Sequence, residues 1–266
     1  MICPLCQQNK GVYAFTTNEF HGKYSSSKNI FKFYRCQKCF SYFPDITKIN
    51  INNYYTPTYR HTVSFIEKFF IHRNYNTQIK IIDNLFHSKQ VSLLDVGCGN
   101  GEFINNLPKS YFKTGIDIKI DKPKPSLIQD DFIDHQFTDK FNLITFWHSL
   151  EHFTNPIAAI IKAKNILQNN GYIIISIPVS DSASFKLNPS KAYHLDPPRH
   201  IFIPNTIQFK KILGKYFSSV KVIDLPYEFP LDLYWTLKNS HKKYLIPIFP
   251  ILKYIFPETK LFLCRR

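Results

Sequence analysis

The sequence predicts an α/β protein built on a doubly wound, mostly parallel sheet, and three observations carry that expectation. From residue 91 onward, short apolar runs alternate with helix-forming stretches, as right-handed βαβ crossovers require. The first run, Val91-Ser-Leu-Leu-Asp-Val96, ends in a glycine-rich turn that opens a helix. Four of the chain's eight glycines, at 97, 99, 101 and 115, crowd into that region, so backbone freedom is concentrated in one loop.

The elements follow in order. Residues 1–45 carry four of the six cysteines, separated by polar runs such as Ser25-Ser-Ser-Lys-Asn29, and read as a small module of their own. Residues 46–90 read as a linker and two helices, around Thr62 to Phe70 and Thr77 to His87. Residues 91–266 form the main domain. Its first strand is Val91 to Val96, and a helix runs from Glu102 to Leu107, with Pro108 helping to stop it. Lys113 to Ile118 and Ser126 to Gln129 are the next strands, and Phe141 to Trp147 is the fourth. A helix from Pro156 to Leu167 has Asn155 as its N-cap and proline at its first position. Asn170-Gly171 is a turn before a fifth strand, Tyr172 to Ile177. After Pro204 come a helix to Tyr216, a strand Ser219 to Asp224, and a closing strand in Lys260 to Cys264.

At 44% hydrophobic and 16% aromatic residues, the chain has ample material for a core, and global disorder is excluded. No apolar stretch is long enough to span a bilayer, and the N-terminus lacks the pattern of a secretory signal. The expected location is therefore a reducing cytoplasm, where cysteines bind metal more readily than they pair. The net charge of +15 invites a nucleic-acid reading, but the charge is unevenly spread. Residues 1–90 hold 12 basic and 4 acidic groups, 91–185 hold 8 and 10, and 186–266 hold 14 and 5.

A strand that enters a helix through a glycine turn is a ligand cradle, because the backbone can approach the ligand and the helix N-terminus offers free N–H groups. A dinucleotide fingerprint needs G-x-G-x-x-G, whereas here glutamate stands at 102. Asp95, two residues before the first glycine, would repel a pyrophosphate but suits a ligand with an ammonium group, such as S-adenosylmethionine. The stretch Asp95-Val-Gly-Cys-Gly-Asn-Gly101 resembles motif I of the class I S-adenosylmethionine-dependent methyltransferases. Gly115-Ile-Asp117 resembles the ribose-binding end of that family's second strand, and Gln129-Asp-Asp-Phe132 its adenine-contacting turn. Residues Phe141 to His152 resemble the fourth strand and its loop, with Asn142 in place of the usual aspartate. Gly171 to Pro178 resembles the fifth strand and Leu261 to Arg266 the seventh. The resemblance implies a Rossmann-like, seven-stranded sheet. It assigns the cofactor to Asp95, Gly97, Cys98, Gly99 and Gly101 in the loop, to Asp117 and Ile118, to Asp130, Asp131 and Phe132, and to Trp147. Read as residues alone, Cys98 and Cys264 are ordinary buried side chains.

Cys3-Pro-Leu-Cys6 and Cys36-Gln-Lys-Cys39 form two C-x2-C knuckles, a spacing that lets four thiolates surround one structural Zn²⁺. Redox dithiols or free thiols are the alternatives. With Tyr34 to Pro44 and Tyr54-Tyr55, this segment resembles the N-terminal zinc ribbon of bacterial methyltransferases associated with sugar and surface-glycan biosynthesis.

Acceptor chemistry is expected in the loops after strands four and five. His148, Glu151 and His152 follow the former, and Tyr193, His194, Arg199 and His200 the latter. Three readings fit them. His148 or His200 is a general base, with His152 a third catalytic candidate; or His148, Glu151, His152 and His200 bind a divalent ion that orients the acceptor; or Glu151-His152 merely caps a helix. Arg199 pairs either with a substrate phosphate or carboxylate or with Asp196. Tyr193 and His194 are further substrate candidates. Between about 225 and 258 an apolar helical insertion includes Tyr244 to Phe256, with Lys242, Lys243, Lys253 and Lys260 around it. It packs on the domain, covers the acceptor, or rests on a membrane surface. The leading expectation is methyl transfer to an oxygen, with carbon second, of a small-molecule, glycan or lipid-type acceptor. The alternatives are RNA methylation, with the basic ribbon binding nucleic acid, and a non-catalytic cofactor-binding module.

Overall fold

A computed structural model of the chain describes residues 1–18, 29–55, 65–87, 90–225, 228, 232–238 and 241–266. The expected helix start at Thr62 and most of the polar run from Ser25 lie outside them. A three-stranded antiparallel sheet comes first, with β1 (Gly11–Asn18), β2 (Ile30–Cys36) and β3 (Tyr42–Pro44) in that order. Its Tyr42 exchanges backbone hydrogen bonds with Ile203, 2.9 and 2.7 Å long. Phe31 and Phe33 of β2 pack with Phe185, Ala192, Leu195 and Ile203, so this sheet lies against the segment that follows the fifth strand of the main sheet.

Helix α1 (Phe65–Phe86) is a single helix where two were expected. Polar residues His72 to Asn76 interrupt the apolar periodicity, but none is glycine or proline, and His72, Arg73 and Asn76 face solvent. Then come β4 (Ser92–Val96), α2 (Glu102–Asn106), β5 (Phe112–Asp117), β6 (Leu127–Gln129) and β7 (Phe141–Trp147), close to the expected ranges. Helix α3 (Pro156–Ile166) starts as its sequence predicts, with the Asn155 side chain accepting from the Ala158 N–H. Strand β8 (Leu167–Pro178) begins earlier than expected. Asn170, at φ 61°, does not end the strand. The pairing shifts from Phe141↔Leu167 to Leu143↔Tyr172, so the turn is absorbed as a bulge.

Beyond β8 lie α4 (Ala183–Leu187), α5 (Thr206–Leu213), β9 (Ser219–Asp224), α6 (Asp232–Lys238), a 3-10 turn at Lys243–Ile248, α7 (Phe249–Ile255) and β10 (Thr259–Arg265). The main sheet has seven strands in the order β6-β5-β4-β7-β8-β10-β9, with β10 antiparallel to both neighbours. Successive residues face opposite layers. Leu94, Ile144 and Phe262 pack with α3 and α5, while Leu93, Leu143 and Leu261 pack with α1 and α2. Burial on both faces explains why the strands read as unbroken apolar runs. Strand order reverses between β4 and β7, which opens a crevice at their C-terminal ends. Among the described residues no helix is long and apolar enough to cross a membrane.

Candidate functional site

The loop after β4 borders this crevice. Gly97, Gly99 and Gly101 have φ of 77°, 57° and 76°. A Cβ on Gly97 would lie 2.4 Å from the Ser149 Cβ, and Ser149 Oγ donates to the Val96 carbonyl at 2.6 Å. The loops after β4 and β7 therefore touch, with no room for a side chain between them. Asp95 is buried and accepts a 2.7 Å hydrogen bond from Thr145 Oγ1. Burial pushes its carboxyl up to about 7, against that hydrogen bond. At the end of β5, Asp117 accepts from the N–H groups of Gly99 and Lys119 at 2.7 and 3.0 Å, and Ile118 beside it is exposed.

The other expected cofactor residues divide. Asp130 and Asp131 accept from the N–H groups of Asp131 and Ile133 and shape their own turn, with His135 Nδ1 2.9 Å from Asp130. Phe132 turns its ring into the core, against Phe146 and Phe153. Cys98 packs its sulfur where a Gly115 side chain would be. The Trp147 Nε1–H is buried and finds no acceptor among the described residues. A buried donor without a partner, beside a glycine cradle and two carboxylates, fits a bound polar ligand.

The histidines converge beyond β7 and β8. His148, at φ 50°, places its ring nitrogens 3.4 Å from Glu151 and 3.1 Å from Glu228. Burial opposes its charge, but Glu228 and Glu151 outweigh burial and push it up to about 10. His200 sends Nδ1 to the His194 carbonyl at 2.8 Å, and His152 sends Nδ1 to the Arg199 carbonyl at 3.0 Å. Each Nδ1 must carry a proton to make that bond, so in a neutral ring the lone pair is on Nε2. Burial pushes His200 down to about 4, against the pull of Asp196. Between these rings lies Glu151, fully buried, with neither oxygen in a hydrogen bond among the described residues. Burial would raise its carboxyl, but His148 holds it down at about 2. One ligand atom from each of Glu151, His152 and His200 lies within 4.8 Å of the others.

Residues 70–216 match a family model described as a methyltransferase domain, which is more than half of the chain. The chain belongs to the methyltransferase-domain family. It carries a class I S-adenosylmethionine-dependent methyltransferase domain. Over 121 residues it is 24% identical to the mitochondrial ubiquinone biosynthesis O-methyltransferase of Candida albicans, covering 39% of this chain and 37% of that protein. The chain therefore spans little more than a third of that relative's length. Crystal structures of the plantazolicin methyltransferase BpumL share its fold. The complex with a pentazolic desmethylPZN analog and SAH has a TM-score of 0.51 at 18% identity, covering 76% of this chain and 86% of that one. The complex with a triazolic analog also scores 0.51 at 18% identity, covering 75% and 88%.

Other expected site residues of this methyltransferase have different surroundings. Arg199 is fully buried, bonds Asp196 with two nitrogens, and donates to the Tyr54 carbonyl at 3.1 Å. Of its two expected partners, Asp196 is the one in place, and the pair shapes the loop. His194 Nε2 lies 2.5 Å from Asp232, and the Tyr193 N–H donates to Thr236, which ties both to α6. Thr145, Ser176, Glu228 and Tyr55 were missed in the sequence. Ser176 Oγ donates to Glu228 at 2.9 Å, and the Tyr55 hydroxyl lies 3.2 Å from His152 Nδ1. Only Thr145 carried a usable signal, because it pairs with Asp95 once the strands are aligned.

The four N-terminal cysteines of the methyltransferase also converge. Cys3 and Cys39 sulfurs are 3.5 Å apart and those of Cys6 and Cys36 are 3.6 Å apart. Each knuckle closes on a left-handed residue, Gln7 or Phe40, whose N–H donates to the Cys3 or Cys36 carbonyl. The contact with Cys3 holds Cys39 down at about 5, while burial pushes Cys6 up to about 11.

Proposed function

We propose that this enzyme methylates an oxygen, with carbon the second choice, of a small-molecule, glycan or lipid-type acceptor, and that His200 takes the acceptor's proton. When bound, S-adenosylmethionine supplies a methyl group on a sulfonium, whose leaving group is a neutral thioether. Asp95, the glycine loop, Asp117 and Trp147 would hold it. The observation that carries the reading is a pair of imidazoles whose Nδ1 atoms are held by backbone carbonyls, leaving Nε2 as the free ring position, beside a buried carboxylate with no hydrogen bond among the described residues. As the proton leaves an acceptor hydroxyl for His200 Nε2, the oxygen lone pair becomes available for attack. Glu151 stabilises the imidazolium that forms. His148, held as a cation between two carboxylates, fixes Glu151 rather than acting as a base. An O-methyltransferase among the relatives supports oxygen as the nucleophile.

The cysteine cluster would bind Zn²⁺. Four thiolates at this separation suit a tetrahedral ion and leave no open position, so the metal is structural. A second reading of the histidine site has its own support. Glu151, His152 and His200 present three convergent ligand atoms, a set that also suits a divalent cation.

The test is methyl incorporation from labelled S-adenosylmethionine into separate pools of phenols, sugar nucleotides, lipids and RNA. His200→Gln should lower turnover by about 10²-fold or more with cofactor affinity unchanged. Incorporation into RNA alone, or unaltered turnover in both His200→Gln and His152→Gln, defeats the proposal. Loss of activity on chelation, restored by a divalent ion other than zinc, favours the cation reading.

A further inference from the structure

The segment of residues 243–255, between β9 and β10, has an outer face that nothing among the described residues covers. Its inner side is conventional: Leu245, Ile246, Phe249, Leu252 and Phe256 pack on Ala183, Leu233 and Leu237. A surface helix should then turn polar residues outward. This one turns out Tyr244, Ile248, Ile251, Tyr254 and Ile255, exposed by 73, 44, 62, 64 and 55%. Pro247 and Pro250 are exposed among them. Trp235 on α6 is exposed too, with the Lys238 ammonium 4.8 Å from its ring. From Asp232 to Glu258 the sequence has no acid between them but four lysines. Lys253 is spent on Asp232 at 3.6 Å, while Lys238 and Lys243 are exposed at the margin of the patch.

An apolar plate edged by tyrosine, tryptophan and lysine, too short to span a bilayer, has the chemistry of an interfacial anchor. Its charge selects the lipid, since basic side chains at the rim gain from an anionic headgroup layer. We infer that the outer face of residues 243–255 docks on the surface of an anionic bilayer. The plate is mounted on the acceptor side of the enzyme. Phe256 accepts from the Ala183 N–H, Glu258 from the Val179 N–H, and α6 holds the loop of Tyr193 and His194. Docking would therefore present this loop to membrane-borne acceptors, a consequence that rests on the acceptor reading above, whereas docking itself does not.

Flotation of the purified full chain with vesicles tests it without any acceptor or turnover. The protein should float with vesicles of phosphatidylglycerol and phosphatidylcholine in equal parts, and far less with phosphatidylcholine alone. The double substitution Ile251→Glu, Tyr254→Glu should weaken binding at least about tenfold. Ile207→Glu, at an exposed isoleucine on α5, should not. Unchanged S-adenosylmethionine binding by calorimetry shows that the variants are folded. Absence of flotation overturns the proposal, as does flotation indifferent to the double substitution. So does a dimer in lipid-free solution that the double substitution splits, which would make a second copy the occupant. A chain that floats yet methylates nothing would leave this inference standing and remove the acceptor reading.

Discussion

Asp95 carries a cost that its ligand should relieve. Its carboxyl stands at about 7, well above the usual carboxylate range, because the site is dry. A raised pKa means that the fold holds the proton longer than the unfolded chain, so ionisation between pH 4 and 7 opposes the empty fold. An ammonium ligand favours the ionised form. S-adenosylmethionine affinity should therefore fall as pH drops through about 7, and fall again above about pH 8 as the ligand's own α-amino group loses its proton, so calorimetry should show a maximum between the two. Thr145→Val removes the hydrogen bond to Asp95 and should weaken binding by about 1–3 kcal/mol, more at pH 7 than at pH 9. A pH-independent affinity would mean that Asp95 does not meet the ligand's charge. His148 has the opposite character, a cation whose two carboxylates repay its burial. His148→Ala leaves Glu151 and Glu228 buried without it and should cost about 3–5 kcal/mol in urea denaturation.

The elements that position these groups differ in how openly the sequence declares them. The glycine loop is legible because its requirement is local: positive φ, and at Gly97 a contact with Ser149 that excludes a side chain. Gly97→Ala should cost about 1–3 kcal/mol in backbone strain alone and abolish measurable cofactor binding; near-native affinity would show that the two loops can separate. The apolar strands are equally legible, since burial on both faces leaves continuous runs. Helix α1 was misread because a polar interruption resembles a break when its neighbours are unknown. The bulge in β8 was misread because Asn-Gly, a turn signal, also suits a strand that absorbs extra residues. Glu228 was invisible, for it reaches His148 from beyond β9 and belongs to no motif. Tyr55 was visible as an aromatic pair with Tyr54, but its meeting with His152 depends on how the N-terminal sheet sits against the rest.

That seating links the two ends of the molecule. The excess positive charge lies in the first 90 and last 81 residues, while the catalytic middle is slightly acidic. Those basic ends meet on the acceptor side: the N-terminal sheet pairs with Ile203, Thr17 donates to the Ser190 carbonyl at 2.8 Å, and the Tyr54 carbonyl holds Arg199. None of these contacts touches the loop at residues 95–101. The cysteine cluster should therefore stabilise the acceptor half of the site and leave the cofactor half alone. Metal analysis should return about one zinc per chain, bound through four thiolates. Removing it, or replacing Cys36 with serine, loosens β2 and with it Phe31 and Phe33 beneath the loop of His194 and His200. The acceptor KM should rise and turnover should fall, while S-adenosylmethionine affinity measured by calorimetry stays within about twofold, since distant sites contribute independently. Equal loss of both affinities would mean that the N-terminal sheet is needed for the whole fold. Unchanged kinetics in a zinc-free protein would detach the cysteine cluster from the reaction altogether.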